Sequence, residues 1–182
     1  MKPPRARFVV VGLLLIAAAL AWREWTLHVS APVPESPASD STGTGLRPVV
    51  LWFGSPAGDS LVAEPRQMPE EAALHARVAA LVRALSQGPR EGGARTLPEG
   101  TELLHTYLEE SGILTLDLSR PFRQGFRGGA RSEEMALGSL VRTLAANVPE
   151  AKRIRILCAG VALSTLGGHF PLDQPLDPDE WP

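Results

Sequence analysis

The chain has 182 residues, 44% hydrophobic and 21% charged, with 18 basic against 20 acidic side chains. That is a globular composition with room for one domain and a tail, which excludes a multidomain enzyme. A formal net charge of −2 gives no global basic field to gather phosphates, so no nucleic-acid partner is expected. The lone cysteine, Cys158, excludes an internal disulfide framework and a Cys-rich zinc site.

The N-terminus bears on location. Lys2, Arg5 and Arg7 precede residues 8–22, FVVVGLLLIAAALAW, which carry no charge. Positive charge ahead of an apolar run keeps the N-terminus cytoplasmic and sends the downstream chain across the membrane. As helix the run spans about 22 Å against a hydrocarbon core of roughly 30 Å, a length that fits a signal peptide, and Ala19-Leu20-Ala21 supplies an A-x-A cleavage signal. Arg23, by snorkelling, and Trp22 and Trp25, at the interface, lengthen the effective span. The expectation is therefore a single-pass anchor in the inner membrane of a bacterium with the remainder extracytoplasmic. Cleavage and release to the periplasm is the alternative. The run is not succeeded by a cysteine, which excludes a lipoprotein anchor.

Residues 1–27 thus read as cytoplasmic N-terminus plus membrane segment. Residues 28–45, rich in Pro, Ser, Thr and Gly without hydrophobic period, read as a linker. Residues 46–175 read as the folded unit and 176–182 as an acidic C-terminal tail, the end of an extended stretch from Asp173 that holds Pro175, Pro178 and Pro182.

Within the folded unit, Val49 to Phe53 is a short apolar run closed by Gly54 and Pro56, a buried strand, and Leu61-Val62 is a weaker partner after the Gly58-Asp59 turn. From Pro69 the period changes: Leu74, Val78, Leu81, Val82 and Leu85 share one helical face, Glu70 and Glu71 suit the dipole, and Gly88-Pro89 stops the helix. Leu103 to Leu108 and Ile113 to Leu118 flank Glu109-Glu110-Ser111-Gly112 as a hairpin. A second helix is predicted from about Ser132, as N-cap, to Asn147, with Glu133 and Glu134 suiting the dipole of its first turn, then a strand over Arg153 to Cys158 and a last one near Ala162 to Leu166. This order predicts an α+β two-layer sandwich, a mainly antiparallel sheet with two amphipathic helices on one face.

These residues resemble a family. Leu85-Ser86-Gln87-Gly88-Pro89, Leu97-Pro98-Glu99-Gly100-Thr101, Leu116-Asp117-Leu118-Ser119 with Phe122, and Leu166-Gly167-Gly168-His169 with Leu172 and Pro175 are similar to signature blocks of the GerMN domain of sporulation and spore germination proteins. They occur in the family's order, and the domain is present as a single copy behind the membrane segment. Gly138 stands where the family has glutamine, Ala159 replaces an acidic turn residue, and Phe170-Pro171 replaces an aliphatic-acidic pair. The resemblance implies a fold close to ring-building modules, an extracytoplasmic place, and a role in assembly or binding without known catalysis. The sporulation label itself does not transfer.

The same blocks read physically as architecture. Gly88, Pro89, Pro98, Gly100, Gly167 and Gly168 are turn chemistry, and Asp117 and Ser119 sit at a strand end where their side chains bond nearby backbone amides. Catalytic residues are not expected. His28, His75, His105 and His169 lack metal-ligand spacing, and no nucleophile elbow surrounds Ser119 near His105 and Asp117. Neither metal nor cofactor is expected. Cys158 alternates with Ile154 and Ile156 as a small buried hydrophobe. One feature exceeds background: Arg120, Arg123, Arg127 and Arg131 crowd a glycine-rich loop ahead of the second helix, a candidate anion site, with His169 a candidate ligand contact. Two function classes remain. The first is an envelope module binding a protein partner or itself, with the membrane contacted through residues 8–22. The second is a module binding a cell-wall fragment or other anionic or carbohydrate ligand.

Overall fold

The computed structural model describes residues 45–181; the expectations on residues 8–22 and on most of the linker lie outside them. Among the described residues no helix is long and apolar enough to cross a membrane. The chain runs β1 (Leu46–Gly54), β2 (Leu61–Pro69), α1 (Leu74–Gln87), β3 (Leu103–Leu108), β4 (Ile113–Leu118), α2 (Pro121–Gln124), α3 (Ala130–Asn147), β5 (Arg153–Cys158), β6 (Val161–Ala162) and a 3-10 turn at Pro178–Glu180. This is the expected α+β class. The strands form a two-stranded sheet, β1-β2, and a four-stranded sheet in the order β3-β4-β5-β6. Among the described residues every pairing is antiparallel but one: β4 and β5 run parallel, because α3 carries the chain back across the sheet as a crossover.

The hairpin β3–β4 and strand β5 have the bounds that their alternation predicts. Leu114, Leu116 and Leu118 of β4 and Ile154, Ile156 and Cys158 of β5 face one contiguous core, which the apolar faces of α1 and α3 complete. Three local signals are overridden. Pro69 does not open α1: it closes a nine-residue β2 paired from Gly54↔Leu61 to Leu46↔Pro69, and α1 begins after Ala73 with no acid in its first turn. The pairing of a full-length hairpin outweighs the weak preference of Pro69, Glu70 and Glu71 for a helix start. Ser132 is not an N-cap, since α3 starts earlier, after Gly129. The stretch from Asp173 is not free tail: Leu176 bridges Ile154 through reciprocal backbone bonds, and Trp181 packs on the core.

The hairpin β1–β2 meets α3 through hydrogen bonds rather than grease alone. Because Ser55 N–H donates to Ser60 C=O, alternation turns the backbone groups of Val50, Trp52 and Gly54 away from β2. Asn147 serves Val50, accepting its N–H at 3.1 Å and donating to its C=O at 2.7 Å. Thr143 accepts the N–H of Trp52 at 3.0 Å, and Ser139 donates to the Trp52 carbonyl. Gly54 exchanges both bonds with Ala94. Ser139, Thr143 and Asn147, one helical row, thus stand in for a missing strand and seal this edge.

The β5–β6 turn is strained at Ala159, whose φ of 52° is left-handed backbone, the region a two-residue hairpin requires. Ala159→Asn is expected to stabilise the domain by about 0.5–1 kcal/mol, because asparagine tolerates this conformation better. A rise of a few degrees in Tm by calorimetry checks it; an unchanged or lowered Tm refutes it.

Candidate functional site

The block Leu166-Gly167-Gly168-His169 is organised by one acid. Glu133, in the first turn of α3, is fully buried. Its Oε1 accepts Leu166 N–H at 2.9 Å, and its Oε2 accepts His169 N–H at 2.9 Å and lies 3.0 Å from His169 Nδ1. Burial alone pushes this carboxyl up. The N–H of Gly167, the His169 ring and the N–H groups of His169 and Leu166 outweigh it and hold it below its ordinary value. Gly167 is required by close approach, since a Cβ there would fall 2.6 Å from Phe126 Cε1 and 3.1 Å from Glu133 Oε2. The expected ligand contact, His169, therefore places one ring nitrogen on an internal carboxylate and leaves its ring half-exposed.

The remaining blocks knit loops to the sheet. Asp117 Oδ1 accepts Gly160 N–H at 2.8 Å, holding the β5–β6 turn, while Ser119 Oγ accepts Glu102 N–H at 2.9 Å and donates to Gly100 C=O at 3.3 Å. Pro98 C=O takes the hydroxyls of Ser86 and Thr101, and Gly88 C=O, ahead of Pro89, takes the guanidinium of buried Arg66. His105 lies across the ladder from Asp117, with no hydrogen bond joining it to Asp117 or Ser119.

The four loop arginines are all exposed and are not gathered in one groove. Arg120 and Arg123 line a groove with Cys158, Val161 and Leu163. Arg127 lines a different groove with Arg95, Pro98 and Ser132, and it donates to the carbonyls of Gln124 and Phe126. Arg131 is taken up by Glu134 at 2.7 Å and by the Asp59 carbonyl. Among the described residues no three His, Cys, Asp or Glu side chains are placed to share a metal ion. Trp52 carries Arg142 over its ring at 3.8 Å, which covers the face a sugar would stack on.

The helices cover one face of the four-stranded sheet. On the other, alternation places His105, Tyr107, Thr115, Arg155 and Leu157, with Arg155 held by Glu109 at 2.9 Å. Arg153 and Arg155 lie on β5, an interior strand.

A family model described as sporulation and spore germination matches residues 50–164, more than half of the chain. The chain belongs to this Germane family. Among solved structures, the first GerMN domain of the sporulation protein GerM from Bacillus subtilis matches at 18% identity and a TM-score of 0.61, covering 73% of this chain and 98% of that one. The tandem GerMN domains of the same protein match at 15% identity and TM-score 0.62 over 75% of this chain, which spans about half of the tandem chain, 48%. A putative lipoprotein from Clostridium perfringens matches at 24% identity and TM-score 0.53, over 75% of this chain and 91% of that one. These likenesses are of fold. No curated protein matches the sequence.

The Germane domain's departures have structural counterparts here. Gly138 leaves room for Leu61 and Trp181, whose Cδ1 and Cε3 would lie 3.0 and 3.5 Å from a Cβ. Phe170 packs on the same Trp181, ring centroids 5.6 Å apart. By sequence alone Glu133 serves only the helix dipole. The signal for its larger role is spacing: Glu133 falls on the stripe of Leu137, Leu140, Val141 and Leu144, where a carboxylate must be buried and therefore partnered.

Proposed function

We propose that this Germane domain is a non-catalytic association module of the bacterial cell envelope, held at the extracytoplasmic face of the cytoplasmic membrane by residues 8–22. The observation that carries the reading is the outer strand of the four-stranded sheet, which no described element pairs with, and where Tyr107 is 66% and Leu104 39% exposed. Large apolar side chains grouped at an unoccupied sheet margin are what a protein partner covers. Family membership favours the same class, since the domain occurs in tandem in one sporulation protein. The dispersal of the arginines weighs against a dedicated anion pocket. A linker over residues 28–45 gives reach, and tethering raises the effective concentration of a partner at the same membrane, so a weak contact suffices.

The test is a photocrosslinking amino acid placed at Tyr107 of the full chain in cells. Discrete protein adducts are expected there and not from Pro56, an exposed residue in the distant β1–β2 turn. Absence of adducts from Tyr107 and Leu104 alike would overturn the reading.

A further inference from the structure

The sheet edges of this domain are treated unequally. The outer edge of β1 is sealed by the α3 row and Ala94. On β2 the same alternation turns Leu61, Ala63, Pro65, Gln67 and Pro69 outward, and the two prolines remove every other donor between Ala63 and Pro69 from that edge. At the far side of the other sheet, β6 is two residues long and Leu176 occupies the flank of Ile154. These are the devices by which sheets avoid edge-to-edge pairing.

Strand β3 lacks them. LLHTYL contains no proline, lysine, arginine or acid, and its one irregularity is a bulge confined to Leu103–His105. Because Glu109 N–H donates to Ile113 C=O, alternation turns Thr106 and Leu108 outward. Among the described residues no turn, loop or side-chain hydrogen bond reaches the backbone of either.

We infer that β3 pairs antiparallel with the β3 of a second copy of this chain about a two-fold axis at Tyr107, joining two four-stranded sheets into one. The inference rests on the association reading above and names its partner and geometry. In this register Thr106 of each copy exchanges both backbone bonds with Leu108 of the other, which uses the outward groups of both residues. The two Tyr107 side chains then sit directly opposite, in the close non-hydrogen-bonded position, where aromatic pairs stack. Each His105 falls opposite the other copy's Glu109, whose carboxylate, already held by Arg155, has room on its second oxygen to accept from an imidazole N–H. An axis at Thr106 sets Glu102 against Glu110 twice and asks the bulged Leu104 to join the ladder, so the Tyr107 axis is favoured over it. An isologous contact of this kind closes at two copies. One short strand pair lies at the small end of specific interfaces, so dissociation in about the micromolar range is expected, a strength that tethering to one membrane makes sufficient.

The test uses the full chain purified in mild detergent, with Cys158→Ala to remove the native thiol. Tyr107→Cys is expected to give a disulfide-linked dimer on mild oxidation, because the non-hydrogen-bonded pair on the axis brings the two Cβ atoms to about 4.5 Å, within disulfide reach. Val62→Cys, exposed on β2, is expected to stay monomeric. No dimer from Tyr107→Cys, or as much from Val62→Cys, overturns the proposal. The unsubstituted chain supplies a second readout: amide exchange at Thr106 and Leu108 should slow several-fold as concentration rises through the micromolar range, and concentration-independent exchange refutes self-pairing. If both fail while photocrosslinks from Tyr107 still capture a different protein, self-pairing falls and the association reading stands. If those crosslinks fail too, both fall.

Discussion

Glu133→Ala is expected to cost about 3 kcal/mol or more of folding stability. The carboxylate is fully buried and accepts from Leu166 and His169 at 2.9 Å each. Removing it orphans the buried Leu166 N–H and strips the part-buried His169 N–H of its acceptor, and a buried donor left unmade costs about 1–3 kcal/mol. Of a total stability of about 5–15 kcal/mol, that is enough to depress Tm by ten degrees or more. Denaturant unfolding measures it; a loss below about 1 kcal/mol would show that the Gly167–His169 loop holds itself. Glu133→Gln tests the charge separately. Because the folded pKa lies below the ordinary value of 4.5, the stabilisation is fully present above pH 4.5. It is lost as pH falls through the lower, folded value. Glu64, lowered although burial opposes it because Arg66 donates to it, contributes to the same acid loss. The part due to Glu133 is therefore the difference between the native chain and Glu133→Gln, which should be constant near neutrality and shrink below pH 4.5. A difference independent of pH down to unfolding would refute this account.

The second large effect is expected at Asn147. Its side chain satisfies both backbone groups of Val50 and also donates to Thr143 C=O at 2.6 Å. Asn147→Ala leaves the N–H and C=O of Val50 without partners beside a buried helix, a loss of about 2–4 kcal/mol. Asn147→Asp should be worse, since a carboxylate then faces the Val50 carbonyl across 2.7 Å. Thr143→Val, nearly isosteric, removes only the acceptor for Trp52 N–H and should cost about 1–2 kcal/mol. The order Asp, Ala, Val, from most to least destabilised, is what urea titration of the three variants should give. Equal losses would mean that the row acts as bulk and not as a hydrogen-bonded edge.

The sequence by itself determined those elements whose cause is local. Alternation and a four-residue turn set the β3–β4 hairpin, the Ile154, Ile156, Cys158 alternation set β5, Gly88 and Pro89 ended α1, and the four signature blocks pointed to the Germane family. In each case the residues that decide the outcome are neighbours in the chain, so their period and breakers are visible in a short window. Tertiary structure decided the rest. Leu46 of β1 pairs with Pro69, and that long pairing, not the local signals at Pro69, Glu70 and Glu71, placed the start of α1. Ser139, Thr143 and Asn147 read as ordinary helix residues until β1, about 90 residues earlier, supplies the open edge they bond. Glu133 reads as a dipole acid until the Gly167 loop folds over it, and the arginines read as one cluster until α2 and the start of α3 send Arg123 and Arg127 into separate grooves. A polar side chain carries no record of its distant partner. What fixes the pairing is that buried donors and acceptors must be satisfied all at once, a condition only the folded chain can meet.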